Sequence, residues 1–226
     1  MKAIAVALDY DGVLVDSYKG VPVFYTEDLP SLSSVSYDYA KRLLYIEYLA
    51  EGLGLLREDI WFKFIPGLTS SMLDELISRY WERRIEYSTS LPGSRHALEK
   101  LSSMNISVYH VGYRDDIYGL KEHRIESDGF TRYFREIYVV GENTSSRLHA
   151  LLEILGGHDV VIYVDDKPLN LAVVEAGLRD ELKGRVILVK HNFKPPYSPA
   201  WVGPHGEYIE VSNLLDVVRL VKKQAG

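Results

Sequence analysis

Ile4-Ala5-Val6-Ala7-Leu8-Asp9-Tyr10-Asp11-Gly12-Val13-Leu14 decides how this chain folds. Five apolar residues in a row, with no polar alternation, read as a strand buried on both faces, which is the habit of parallel sheets. Asp9 and Asp11 follow at its carboxyl end, the rim where ligands bind in an open parallel sheet. Residues two apart in an extended chain point to the same side, so both carboxylates face one crevice, and Gly12 lets the chain turn sharply away. Two carboxylates on one face repel. Such a pair persists if a divalent cation lies between them, or if one is neutral and serves as an acid. An N-cap with a turn accounts for one Asp readily and for two less well.

Four further runs, Ile106 to Val111, Ile137 to Val140, Val160 to Val164 and Val186 to Val189, share the character of the first. Between them lie stretches with helical spacing, such as Leu148, Leu151, Leu152 and Leu155, or Leu169, Ala172, Val173 and Ala176. Strand–helix–strand repetition predicts an α/β fold, a Rossmann-like three-layer sandwich with a parallel sheet between helices. A closing helix is expected from Val211 to Val221. Its terminal Lys222 and Lys223 suit the negative end of a helix dipole.

The interval between the first two strands is too long for one crossover helix. Tyr37 to Leu53 and Ser70 to Tyr87 read as two amphipathic helices inside it, and Pro92-Gly93 closes it ahead of a helix bearing Ala97, Leu98 and Leu101. The expected organisation is a core of residues 1–16 and 93–226 with a small helical domain, 17–92, looped out after the first strand. The segment from Asn192 to Tyr208, with Pro195-Pro196, Pro199 and Pro204, reads as a rigid surface connection. Gly52-Leu53-Gly54-Leu55-Leu56-Arg57 begins like a dinucleotide fingerprint but lies within the insertion and ends in Arg.

Composition removes several functions. Of 226 residues, 46% are hydrophobic and 26% charged, enough apolar content for a real core. A net charge of -6 argues against a chain built to coat nucleic acid or an anionic membrane. The absence of cysteine excludes disulfides, thiolate zinc sites and cysteine nucleophiles. No leader or membrane-spanning run is read, since Asp9 and Asp11 break the first apolar stretch, and a cytoplasmic location is expected. The seven His residues make no close ligand pair; His110, flanking the end of the second strand, is read as a packing residue.

A second acidic pair ends the fourth strand in Tyr163-Val164-Asp165-Asp166-Lys167-Pro168-Leu169-Asn170. If the first and fourth strands are neighbours at the switch point of the sheet, four carboxylates form a hard, oxygen-lined site suited to Mg²⁺. Helix capping ahead of Pro168 is the plain alternative for Asp165 and Asp166, and the coincidence of two pairs weakens it.

With both pairs in view, the sequence resembles the haloacid dehalogenase-like hydrolase superfamily over nearly its whole length. Asp9 to Leu14 matches that superfamily's first motif, and Asp165, Asp166 and Asn170 match its fourth. Residues 17–92 are similar to its helical cap. The resemblance implies a phosphatase acting on a small phosphorylated metabolite as monomer or homodimer. Asp9 would attack phosphorus, Asp11 would protonate the leaving alcohol and bind Mg²⁺ through its carbonyl, and Asp166 would ligate the metal, with Asp165 behind it or bound through water. A phosphosugar mutase would use the same Asp9 and Asp11. Two positions depart from the pattern. Gly112 stands where the second motif carries Ser or Thr, leaving the backbone N–H groups of Gly112 and Tyr113, with Arg114, to meet phosphate. Arg147 stands where the third motif carries Lys, with Ser145 or Ser146 read as a helix cap. These departures also fit a catalytically degenerate relative that binds phosphate ligands or a protein.

Overall fold

The structure is a computed structural model describing residues 2–198, 201 and 206–225. Its strands are β1 (Ile4–Leu8), β2 (Val15–Asp16), β3 (Thr89–Ser90), β4 (Ser107–Tyr113), β5 (Glu136–Val140), β6 (Val160–Asp165), β7 (Val186–His191) and β8 (Ile209–Val211). Its helices are α1 (Gly20–Val23), α2 (Leu29–Leu32), α3 (Tyr37–Gly52), α4 (Arg57–Phe64), α5 (Ser70–Glu86), α6 (Ser94–Ser103), α7 (Leu120–Ser127), α8 (Arg147–Leu155), α9 (Pro168–Gly177) and α10 (Leu214–Ala225), with one π-helical turn at Phe24–Asp28. The chain separates into two compact units, one of residues 1–15, 90–193 and 205–226, the other of 16–89 and 194–204.

The first unit is an α/β sandwich. Its six strands run in the order β5-β4-β1-β6-β7-β8, and every pairing is parallel. All five residues of β1 are buried, and successive side chains go to opposite faces. Val6 and Leu8 join Ile162 and Val164 beneath α6 and α10, where Leu98, Leu101, Val217 and Val221 close one core. Ala5 and Ala7 join Val161 and Tyr163 beneath α8 and α9, where Leu151, Ile154, Leu171 and Val174 close the other. Each such aliphatic side chain, fully removed from water, stabilises the fold by about 1.5–3 kcal/mol.

Two expectations are corrected here. A sixth strand, β8, stands at the sheet edge. With three residues, two of them exposed, it carries no apolar run for the sequence to reveal. Val211 belongs to it, and the closing helix begins at Leu214, where Asn213 Oδ1 accepts from Leu215 N at 2.9 Å.

The second unit is helical. Tyr37–Gly52 and Ser70–Glu86 form as expected, each started by a hydroxyl cap: Ser36 Oγ accepts from Tyr39 N and Thr69 Oγ1 from Met72 N, both at 3.3 Å. The shorter α1, α2 and α4 lack the length for an audible periodicity. α1 lies against α5 so closely that a Cβ at Gly20 would overlap the carbonyl of Arg83 and come within 2.7 Å of Arg84 N. The connection after β7 is more than a surface strap, because Trp201 is buried against Tyr18 and Tyr48, with ring centroids 5.3 and 6.1 Å away. Pro199 and Pro204 lie outside the described residues. No helix among those described is long and apolar enough to cross a membrane.

Candidate active site

The strand order places β1 between β4 and β6, with Leu8 in register with Val164 on one side and His110 on the other. The residues that follow in β1 and β6 are therefore side by side at the carboxyl rim, where the sheet order switches. Asp9 N donates to Val164 O at 3.0 Å and fixes this alignment. Asp9, Asp165 and Asp166, all buried, bring one carboxylate oxygen each to within 4.8 Å of one another.

Gly12 makes this convergence possible in two ways. Its φ of +76° lies in the left-handed region that other residues avoid, and a Cβ there would come within 2.5 Å of Asp166 Cγ. The turn is tied down on both sides. Gly12 N donates to Val15 O at 2.8 Å, and His191 Nδ1, at the end of β7, donates to Gly12 O at 2.7 Å.

The acidic residues differ in their surroundings. Asp165 accepts from Lys167 N at 2.9 Å, from Asn170 Nδ2 at 3.0 Å to both oxygens, and from Tyr163 Oη at 2.5 Å; Arg147 Nε lies 3.6 Å from it. Its lone pairs are largely committed to the protein. Asn170 is thus a support for Asp165 through its amide N–H. Asp9 has no such retinue: burial, then the charge of Asp165, pushes its carboxyl up to about 7, against the pull of Lys121 and Arg147. A divalent cation held by Asp9 and Asp166, with Asp165 behind, would relieve that repulsion, and an all-oxygen donor set suits Mg²⁺.

Asp11 turns to a different set of partners. Lys121 Nζ lies 2.5 Å from its Oδ2 and Arg124 Nη2 2.5 Å from its Oδ1, and both cations also hold the buried Asp115, at 2.8 and 2.9 Å. Tyr10, fully buried, donates to Asp128, with Arg124 O 3.3 Å from the same hydroxyl, and so anchors α7, which carries both cations. Lys121 and Arg124 were invisible as site residues in the sequence. The only signal is their i,i+3 spacing, which puts both on one face of a short helix.

At the end of β4, Gly112 has ordinary backbone geometry, and its lack of a side chain is a matter of space. A Cβ there would stand 2.5 Å from Asp9 Oδ1, 2.7 Å from His110 Cε1 and 2.9 Å from His110 Nε2. His110 is completely buried, and desolvation, followed by the charge of Lys121, lowers its pKa to about 3. Its Nδ1 sits 3.1 Å from Leu8 O, an acceptor, so Nδ1 carries the hydrogen and Nε2 is a bare acceptor without a hydrogen-bond partner among the described residues. Arg114 N donates to Val140 O at 3.1 Å; the two-residue alternation of a strand turns Gly112 N–H to that same β5 edge and Tyr113 N–H towards β1. The Tyr113 side chain is exposed. The Arg114 side chain runs 3.2 Å from where a Cβ on Gly141 would be, at the end of β5. Ser146, as expected, caps α8, its Oγ accepting from His149 N at 3.1 Å.

No family model matches the sequence, and no curated protein matches it. Solved structures do. A haloacid dehalogenase-superfamily hydrolase of subfamily IA from Geobacter sulfurreducens has a TM-score of 0.65 and 17% identity over 97% of each chain. A protein from Haemophilus somnus assigned as a phosphoglycolate phosphatase has a TM-score of 0.60 and 13% identity over 96% of this chain and 97% of its own. A Thermotoga maritima protein assigned as a β-phosphoglucomutase has a TM-score of 0.60 and 18% identity over 99% of both. The chain has the fold of haloacid dehalogenase-like hydrolases.

Proposed function

We propose that this chain is a phosphatase that hydrolyses a small phosphorylated metabolite through a phosphorylated Asp9. The observation that carries the reading is the buried convergence of Asp9, Asp165 and Asp166 at the switch point of the sheet. In this reading an Asp9 oxygen bonds to phosphorus as the bond to the ester oxygen breaks, and that oxygen takes a proton which Asp11, an ion-paired carboxylate at rest, acquires when the substrate binds. Water then attacks the phosphorus and gives its proton to Asp11, the bond between phosphorus and the Asp9 oxygen breaks, and free phosphate departs, restoring the Asp9 carboxylate. Asp9, Asp166 and the Asp11 carbonyl, with Asp165 supporting, would hold Mg²⁺, which would supply charge neutralisation between the nucleophile and the phosphoryl oxygens. Tyr113 N–H and the Arg147 guanidinium are the donors we assign to those oxygens, with Gly112 admitting them closely. Lys121 and Arg124 orient Asp11. The helical unit, inserted directly after the first motif, is assigned as the cap that selects the substrate, and the reaction is placed in the cytoplasm.

The fold neighbour assigned as a β-phosphoglucomutase motivates a second reading, transfer of the phosphoryl group to another hydroxyl, with the same Asp9 and Asp11. The purified protein with Mg²⁺ is offered an aryl phosphate and a panel of phosphorylated metabolites, and inorganic phosphate is measured. Release of phosphate with a trapped acid-stable phosphoenzyme, both lost in Asp9→Asn, supports hydrolysis. Isomerised phosphosugar without free phosphate would favour transfer. No turnover of any kind would leave a phosphate-binding module.

A further inference from the structure

The second-motif position lacks its hydroxyl side chain, and a buried imidazole stands where that side chain would begin. The ring tip of His110 lies 2.7–2.9 Å from the Cβ that Gly112 does not have, and the same Cβ would crowd the Asp9 carboxylate at 2.5 Å. Two residues apart on one strand, positions 110 and 112 share a face, so a long side chain at 110 can reach the space above 112. That ring is held rigidly. Its Nδ1–H is tied to Leu8 O at 3.1 Å, and Tyr10 and Phe134 pack around it with centroids 6.3 and 6.0 Å away.

This leaves Nε2 in a costly condition. It is a polar atom with no solvent and, among the described residues, no hydrogen-bond partner, a state that folded proteins seldom leave unused. A side chain kept for packing alone would carry no such atom: Leu or Phe fills the volume without an unsatisfied acceptor. Nε2 and Asp9 Oδ1 lie 2.9 and 2.5 Å from one point, the Cβ that Gly112 lacks.

We propose that His110 Nε2 takes the place of the missing hydroxyl: it is the side-chain atom that positions the bound phosphoryl group against Asp9, and residue 112 is glycine because the imidazole occupies its side-chain space. The proposal rests on the phosphatase reading above. As an acceptor, Nε2 receives a hydrogen bond from the protonated oxygen of a phosphate monoanion, while Tyr113 N–H and Arg147 donate to the unprotonated oxygens. The two positions act as one unit, His with Gly, and exchange must be reciprocal. A hydroxyl added at 112 while the imidazole remains collides with the ring and with Asp9. The same hydroxyl with the imidazole removed has room.

The test uses the full chain with Mg²⁺ and two readouts, turnover of an aryl phosphate and binding of inorganic phosphate by calorimetry. His110→Leu is expected to weaken phosphate binding and raise KM about tenfold, the worth of one hydrogen bond to a charged group. His110→Gln, whose side-chain carbonyl can reach the place of Nε2, is expected to stay within about threefold of wild type. Gly112→Ser alone should lose at least about a hundredfold in kcat/KM, and His110→Ala combined with Gly112→Ser should regain at least about tenfold of that loss. If His110→Leu does not fold, the comparison of Gly112→Ser with the double variant decides. Gly112→Ser as active as wild type, or a double variant no better than Gly112→Ser, overturns the proposal, as does phosphate bound equally well by the folded Leu variant. Wild type that neither binds phosphate nor turns over would overturn the phosphatase reading with it. Wild type that does both, beside indifferent variants, removes only the role of His110.

Discussion

Lys121 Nζ lies 2.5 Å from Asp11 Oδ2, both groups buried, and the same ammonium reaches Asp115 at 2.8 Å. With Arg124 this makes a square of two cations and two carboxylates out of water. Its net worth against an apolar core is small, but its members depend on one another, because removing one leaves an uncompensated buried charge. Lys121→Met is therefore expected to lower stability by about 3–5 kcal/mol. In a chain of this size that is a fall of roughly 10 °C in Tm. Asp115→Asn added to Lys121→Met should recover part of it. A thermal melt of Lys121→Met within two or three degrees of wild type would show that water reaches the square.

Asp9 and His110 carry opposite shifts, and their effects on stability oppose each other in metal-free protein. Asp9 titrates at about 7 in the fold against 3.8 unfolded, so its contribution is full below pH 3.8 and is lost as pH rises to 7. His110 titrates at about 3 against 6.5, so its contribution is full above pH 6.5 and is lost as pH falls to 3. Between about pH 4 and 6.5 the native state holds one proton on Asp9 and the unfolded chain holds one on His110, and the slopes cancel. Asp9→Asn should thus expose a stability that rises with pH across this window. His110→Leu should expose one that falls. Urea midpoints from pH 4 to 7 in EDTA would measure both, and equal slopes in the two variants would contradict the assignment.

Much of this was legible in the chain. Ile4–Leu8 announced a doubly buried strand because its apolar run was unbroken, and both acidic pairs were visible because each directly follows such a run. What escaped has a common physical reason. Lys121 and Arg124 reach Asp11 through tertiary packing of a short, mostly polar helix, which no local period encodes. The space at Gly112 is consumed by a neighbour two residues away, so its glycine read as a lost hydroxyl when it is one half of a pair. β8 has too few residues, and too little buried surface, to leave a pattern. Trp201 lay in a proline-rich stretch whose composition speaks of a loop and hides one buried anchor.

A divalent cation at Asp9, as proposed, would compete with protonation for the same oxygens. Mg²⁺ is expected to raise Tm at pH 8 by an amount that grows with its concentration, reaching the equivalent of about 2.7 kcal/mol at one hundred times its Kd. Below pH 6 the gain should shrink, since Asp9 then holds a proton that the cation must displace. Asp166→Asn should remove most of the effect at either pH. Melting with and without Mg²⁺ tests this, and a Mg²⁺ effect that is the same at pH 5.5 and 8 would place the ion elsewhere.

The helical unit has its own buried charge, and it ties α4, too short to show a period in the sequence, to α3 and α5. Glu47 of α3 is 2% exposed, yet Arg57 Nε of α4 stands 3.1 Å from its Oε1, Tyr80 Oη of α5 donates to that oxygen at 2.7 Å, and Tyr25 Oη donates to the other. Trp61 Nε1 in turn donates to Tyr25 Oη at 2.8 Å, and the Arg57 guanidinium lies 3.8 Å from the Tyr80 ring centroid. Both tyrosine hydroxyls are held well above their ordinary pKa, by burial first, so they remain donors at any working pH. Two neutral donors can satisfy the lone pairs of Glu47 but cannot neutralise it. Arg57→Met keeps the apolar stem and deletes the charge, and should destabilise the unit by about 3–5 kcal/mol, whereas Glu47→Gln with Arg57→Met should recover at least about half, since the buried charge is then gone. Urea unfolding of the two variants decides: a single variant within about 1 kcal/mol of wild type, the range of an exposed pair, would mean that Glu47 is not dependent on Arg57.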